Sequence, residues 1–463
     1  MIITMDILVA VLLIIGFLVG IRYMQSPGTA LWGNRLGALS MLLAALYTMY
    51  RTELIFSAMP WIYIAIGAVL GLVLGKRIKM IQMPQMVALL NGLGGAASAL
   101  VAGVAIIIYI NEISLLFWIT AALALAIGSL TFFGSIVAAL KLQGWLVQQP
   151  LFLKGHQLLL RGLLLVGIIL ILFTTFTADY PYLFPGIVLI FAAYGILMTL
   201  RVGGADMPII IAVLNSFSGI AASVCGLAVN DALLTGVGAL VGVAGFVLTR
   251  LMCRAMNRNL SAVLGGFVRS VSITKSEPDG EDPDSYPPPG GQAQLPQLLA
   301  AAQKVIIVPG YGMAVAQAQQ AVRDLVSALE NRGKQVKIGV HPVAGRMPGH
   351  MHVLLAEVGI EYDMLLDMET INPEFPETDL VIVVGACDVM NPAAATAEET
   401  PIYGMPILDV ASAKNVIICN RDREPGYSGV ENTLYDQKQV ISLWGDAAQT
   451  VPKLTTMVQD GIQ

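Results

Sequence analysis

Charge is scarce in this sequence. Asp, Glu, Lys and Arg make up 12% of its 463 residues, against roughly 25% in a soluble domain. The deficit excludes a single water-soluble globule, and it is uneven. Residues 1–265 are a series of long apolar runs, whereas 300–463 have ordinary globular composition. Basic blocks are also missing. With a net charge of −5, that argues against nucleic acid as a partner. Cysteine is limited to Cys225, Cys253, Cys387 and Cys419. Their scatter gives neither a disulfide framework nor a metal site, and it suits a reducing compartment for the soluble part. The first apolar run, Ile7 to Val19, lacks a basic flank and a small-residue cleavage site. It reads as a retained span rather than a signal peptide.

Between the two halves lies "SEPDGEDPDSYPPPGGQAQLPQ", Ser276 to Gln297, with six prolines, five acids and no apolar run. Such a segment buries too little surface to fold and reads as a flexible tether. The expected division is a membrane domain over 1–265, a linker over 266–298 and a soluble domain over 299–463.

A bilayer core of ~30 Å needs roughly 20 apolar residues per helix. Nine candidate spans fit, at about 5–21, 36–50, 60–75, 83–109, 114–140, 157–176, 182–200, 208–228 and 232–252. Their loops alternate in charge. Arg22, Arg35, Lys76, Arg77, Lys79, Lys141, Lys154, Arg201, Arg254, Arg258 and Arg269 fall on one side, and only Arg51 on the other. The basic side is the cytoplasmic one, so the N-terminus is expected outside and the soluble domain inside. No Asp, Glu, Lys, Arg or His lies near a midplane. The polar residues at depth are Asn91, Asn215 and hydroxyls such as Ser129, Thr131 and Ser135. Asn91 and Asn215, each beside Gly and Ser or Ala, read either as hydrogen-bond glue between helices or as a hydrated pathway. Asp206 stands at a cytoplasmic helix start, where a carboxylate suits the helix dipole.

In the soluble half, "KVIIV" reads as a buried strand and "PGYG" as a tight turn. "MAVAQAQQAVRDLVSALENRG" reads as one helix stopped by Gly333. Further strands are expected at "QVKIGV", "DLVIVVGA" and "NVIICN". Alternating strand and helix implies a Rossmann-like parallel sheet with ligands at the carboxyl ends of its strands. The turn Gly310-Tyr311-Gly312-Met313-Ala314-Val315 is a Gly-x-Gly-x-x-Val variant of a dinucleotide turn. No acid closes the second strand, which tilts against an ordinary NAD site. Arg346 and Arg421, in glycine-rich turns after later strands, are candidate phosphate ligands because a guanidinium presents a planar fork.

Taken in order, "GGADMP", "LNSFSG", "CRAMNR", "PGYGMAVAQAQ", "HPVAGRMPGHMHVLLAE", "MNPAA" and "GYSGVEN" resemble the beta subunits of proton-translocating NAD(P) transhydrogenases across both halves. The resemblance implies an α-helical polytopic membrane domain that conducts protons and a Rossmann-like domain that binds NADP(H). NAD(H) would sit on a separate alpha subunit, within a dimer of alpha-beta units in a bacterial inner membrane. Hydride would pass between the nicotinamides, towards NADPH. The implied NADP(H) contacts are Tyr311; Val343, Ala344, Gly345, Arg346 and Pro348; Gly385, Ala386, Cys387, Asp388 and Val389; Asn420, Arg421, Asp422, Arg423, Gly426 and Tyr427; and Asp446 and Ala447. Asp388 would couple binding to protonation, and Arg421 would take the 2′-phosphate. Asn91, Asp206 and Asn215 would serve the proton path.

Two positions depart from the family pattern. Asn420-Arg421-Asp422 replaces a Lys-Arg-Ser sequence, so either Asp422 turns away from the phosphate or Arg423 compensates. Asn91 stands where some members carry His, and Asn does not titrate near neutrality. A membrane transporter or channel with a nucleotide-sensing cytoplasmic domain is the alternative reading.

Overall fold

The computed structural model describes the chain except residues 1, 110–113, 148–149, 152, 154, 177–182, 205, 266–291, 348, 399, 401, 427 and 461–463. Pro348, Tyr427 and most of the expected linker therefore lie outside the described residues. The chain divides into two compact units, Met1–Gly203 with Ile209–Thr249, and Gly204–Pro208 with Arg250–Gln463.

All nine apolar runs are helical. They are α1 (Ile2–Met24), α2 (Pro27–Arg51), α3 (Ala58–Arg77), α4 (Met83–Ile108), α5 (Leu115–Gln143), α6 (His156–Phe176), α7 (Phe184–Leu200), α8 (Met207–Ala228) and α9 (Ala232–Ala255). Seven are long and apolar enough to cross a membrane by length and composition. The other two are α7, with 17 residues, and α2, whose first half carries Asn34 and Arg35. Proline stands in the first turn of α2, α4 and α7, where its missing N–H costs no helix bond.

Apolar side chains alone cannot hold helices together in lipid, so small residues set the contacts. A Cβ on Gly128 would lie 2.5 Å from the Gly95 carbonyl oxygen, and one on Gly195 2.3 Å from that of Leu130. These sites bring α4, α5 and α7 into backbone contact. The α5 residue Lys141 is 1% exposed. Its Nζ donates to the carbonyls of Leu200 and Val202 at 2.7 and 2.8 Å, giving partners to groups that the end of α7 leaves unpaired.

In the second unit, α10 (Leu260–Gly265) precedes the undescribed segment, and α11 (Leu295–Ala301) leads into the sheet. The last residues of the segment read as linker are thus helical, and Leu295 and Leu299 are buried. Strand β1 (Lys304–Pro309) is followed by α12 (Tyr311–Val315) and α13 (Gln319–Asn331). The single helix expected here is broken by Gln317, which sits in the left-handed region at φ 54°. Gly333 ends α13 at φ 74°, as expected. Then come β2 (Gln335–Val340), α14 (His350–Glu357), β3 (Leu365–Asp367), α15 (Met368–Ile371), β4 (Leu380–Val384), α16 (Ala393–Thr396), β5 (Val416–Asn420), β6 (Val440–Trp444) and α17 (Ala447–Asp460). The strands form one sheet in the order β3-β2-β1-β4-β5-β6, every pair parallel. Strands β4 and β5 are buried throughout, as a sheet covered on both faces requires.

Candidate functional site

Strand order reverses between β1 and β4, and in such sheets a crevice opens at that point beyond the carboxyl ends. The loops after β2, β1, β4, β5 and β6 are joined in turn, each touching the next. The β1 and β4 loops pack backbone to backbone: Gly310 N–H donates to Val384 O and Gly312 N–H to Gly385 O, both at 2.8 Å. Gly385, at φ 67°, leaves no space for a side chain, since a Cβ would lie 2.2 Å from Met313 N. The glycines of the turn therefore have a packing reason of their own. Val315 points outward and is exposed.

The β2 loop is built on two buried histidines that the sequence reading passed over. His341 Nδ1 accepts from Val343 N at 3.2 Å, and its Nε2 lies 2.8 Å from Pro406 O. Nδ1 as acceptor makes Nε2 the protonated nitrogen, donating to that carbonyl. His350 Nδ1 accepts from Arg346 N at 3.1 Å, which leaves its buried Nε2 without a partner among the described residues. Burial pushes His341 down to about 4. Burial and the Arg346 charge push His350 to about 4 as well. Both are neutral at physiological pH. Ala344 is buried, and Gly345 at φ 109° passes close to the His350 ring. The buried Arg346 guanidinium lies over the Tyr311 ring, 4.4 Å from its centre, which joins the β2 loop to the β1 loop.

Asp388 begins the turn after β4 and is gripped by the β5 loop. Ser428 donates its hydroxyl to Oδ1 at 2.6 Å and its N–H to Oδ2 at 3.0 Å. A side chain at Gly426 would come within 2.7 Å of the carboxylate. Behind Asp388, the Cys387 thiol is pushed up by burial and by the Asp388 charge. Its carbonyl accepts from Asn432 at 3.1 Å. Ala386 is buried, and Val389 packs against the core.

The residues after β5 separate into different tasks. Asn420 is buried and donates to Ala386 O at 2.7 Å and to Tyr435 Oη at 3.0 Å, so its amide ties β5 to the β4 loop. Asp422 accepts Glu424 N–H at 3.1 Å. Arg423 Nη2 donates to both carboxylate oxygens of Asp436, at 2.6 and 2.7 Å. Of the two alternatives left by the sequence, Asp422 is thus occupied within its own loop and Arg423 is engaged elsewhere. Arg421 is exposed and has no ion-pair partner among the described residues. Asp446 accepts Ala448 N–H at 2.9 Å and starts α17, where Ala447 is buried.

In the first unit, Asn91 is buried and its Nδ2 donates to Ile211 O at 3.3 Å. Ile211 lies one helical turn before Asn215, so the two asparagines occupy neighbouring levels of α4 and α8. Ser129 and Thr131 bond to carbonyls of their own helix, each at 2.7 Å. The hydroxyls of Ser135 and Thr199 are buried without a partner among the described residues. In the second unit, Asp206 pairs with Arg258 at 3.4 Å. Burial pushes its carboxyl up and Arg258 pulls it down.

The sequence matches the family described as NAD(P) transhydrogenase beta subunit over residues 5–457. It is 39% identical over 452 residues to the NAD(P) transhydrogenase subunit beta of Rhodospirillum rubrum, covering 95% of this chain and 96% of that one. The protein of the same name from a specified strain of that organism matches with the same figures. The chain belongs to the NAD(P) transhydrogenase beta subunit family.

Proposed function

We propose that this transhydrogenase beta subunit binds NADP(H) in the mouth at the β1/β4 switch point. There it exchanges hydride with NAD(H) held by an alpha subunit, and the exchange is coupled to proton passage through the membrane helices. The observation that carries the reading is the exposed, unpaired guanidinium of Arg421 in the same belt of loops as Asp388 and the Arg346–Tyr311 stack. A phosphate site needs such a free cation. The buried His350 Nε2–H, without an acceptor among the described residues, likewise fits a polar ligand. Arg421 would hold the 2′-phosphate, the β2 loop around Arg346 the pyrophosphate, and Asp388 would stand near the nicotinamide. When bound, NADP(H) supplies the hydride chemistry. The chain's own residues bind it, orient it and carry a proton-sensitive carboxylate.

The basic-loop alternation supports a multi-pass protein of a bacterial inner membrane. Its N-terminus would lie outside and the domain from about 299 to 463 in the cytoplasm. Asn91, Asn215 and Asp206 are the polar sites proposed for the proton path. The test is reconstitution with the NAD-binding partner in proteoliposomes. NADH should reduce NADP+ faster under an inward proton gradient. NADP(H) binding without any such reaction would leave the nucleotide-sensing transporter.

A further inference from the structure

One residue of the β5 loop supplies two donors to Asp388. The two Ser428 bonds occupy both carboxylate oxygens, and the 2.6 Å hydroxyl contact falls in the range of a charge-assisted O–H···O⁻ bond. The hydroxyl is itself oriented, because Ser428 Oγ accepts Val430 N–H at 3.1 Å. A carboxylate only accepts, so two donors suit it. A neutral acid carries a proton of its own, and a backbone N–H cannot accept it. Among the described residues, titratable groups beside Asp388 include Cys387, whose thiol is pushed up, and beyond it the Tyr435 hydroxyl, which burial also pushes up. Both stay uncharged near neutral pH. The β4 and β5 loops are joined again at Asn391, whose Nδ2 donates to Glu431 O at 3.0 Å. That second bond carries no charge and does not respond to protons.

We propose that Ser428 is a positioning residue for the coupling step. Its hydroxyl holds the β5 loop closed on the ionised Asp388 carboxylate, and protonation of Asp388 breaks this hold and opens the loop for nucleotide exchange. The inference rests on Asp388 being the proton-sensitive group of the proposed NADP(H) site. It adds the partner that translates protonation into loop movement.

The test measures the pH dependence of NADPH release from the full chain with its NAD-binding partner, with NADPH bound per chain as the check on folding. Ser428→Ala keeps the backbone donor but loses the hydroxyl, so Asp388 should protonate more readily. The midpoint should move to higher pH by on the order of one unit. Ser428→Thr should keep the parent midpoint, and Asp388→Asn should flatten the profile. If Ser428→Ala does not hold NADPH, Ser428→Cys takes its place, and the weaker donor should give a smaller shift in the same direction. An unmoved midpoint in the hydroxyl-free variant, with a flat Asp388→Asn profile, overturns the role of Ser428 and leaves the NADP(H) reading standing. A profile that persists in Asp388→Asn overturns both.

Discussion

In the proposed NADP(H) site Arg421 would carry selectivity almost alone, because its neighbours are engaged. Asn420 is turned into the β4–β5 junction, Asp422 caps its own turn and Arg423 is bonded to Asp436. With one guanidinium on the 2′-phosphate, Arg421→Ala should weaken NADP(H) binding by about 1.5–3 kcal/mol, as for a hydrogen bond to a charged group. NAD(H), which lacks that phosphate, should bind as before. Calorimetric titration of the full chain with each nucleotide makes the comparison, and equal losses would assign the phosphate to another residue. The sequence showed which residue types stand in this loop but not their directions. Whether Asp422 faces a phosphate depends on an Asx turn, and whether Arg423 is free depends on an acid 13 positions away. Neither leaves a periodic trace.

At the scale of elements, the β2 loop depends on neutral histidines, and this gives it a pH limit. Both His341 and His350 are held down to about 4, against roughly 6.5 when unfolded. Between those values the unfolded chain binds more protons than the folded one. Stability therefore rises with pH across the window and is lost as pH falls through it. Each histidine contributes up to about 1.4 kcal/mol per pH unit there. Protection of the Val343 and Arg346 amides, taken as the ratio of intrinsic to observed hydrogen-exchange rate at each pH, should fall between pH 6.5 and 4, and His350→Asn should remove part of that fall at Arg346. Protection that does not change with pH would mean that the rings are accessible to protons. These histidines were hidden in the sequence because a loop has no period by which to infer burial. The long elements were legible for the opposite reason: nine apolar runs became nine helices, and β1, β2, β4 and β5 fell on the runs marked for them. The break at Gln317 was not, since its helical pattern continues across the kink. Strand β3, with three residues, is too short to show alternation, and β6 was also missed. Lys141, marked only as a basic loop residue, became a buried cap on α7.

For the whole molecule, the proposed chemistry needs the two units to exchange free energy. Hydride transfer between two nicotinamides is nearly balanced, so a proton gradient can drive it only through an element with two states. That element must bind NADP+ and NADPH with different strength in each, since only differential affinity shifts an equilibrium. Orientation is the first requirement. If the basic loops face the cytoplasm, a cysteine placed at Ser276 should react with an impermeant maleimide only after cells are permeabilised, and labelling of intact cells would invert the topology. The second requirement is a polar path between lipid-facing walls. Helix α3 has no buried residue among those described. Asn91 on α4 and the Asn215 level of α8 meet inside the bundle. Neither side chain titrates, so each can pass a proton only by ordering a donor and an acceptor. Asn215→Leu removes both functions at similar volume, while Asn91 keeps its bond to the Ile211 carbonyl. In proteoliposomes with the partner subunit, this variant should lose gradient-driven NADPH formation and proton pumping. Its NADP(H) affinity should stay unchanged, because Asn215 and the proposed nucleotide mouth belong to different units. Pumping at the parent rate would remove Asn215 from the proton route and leave it as a packing residue between helices. Loss of nucleotide binding along with pumping would show that the membrane unit governs the mouth even without a gradient.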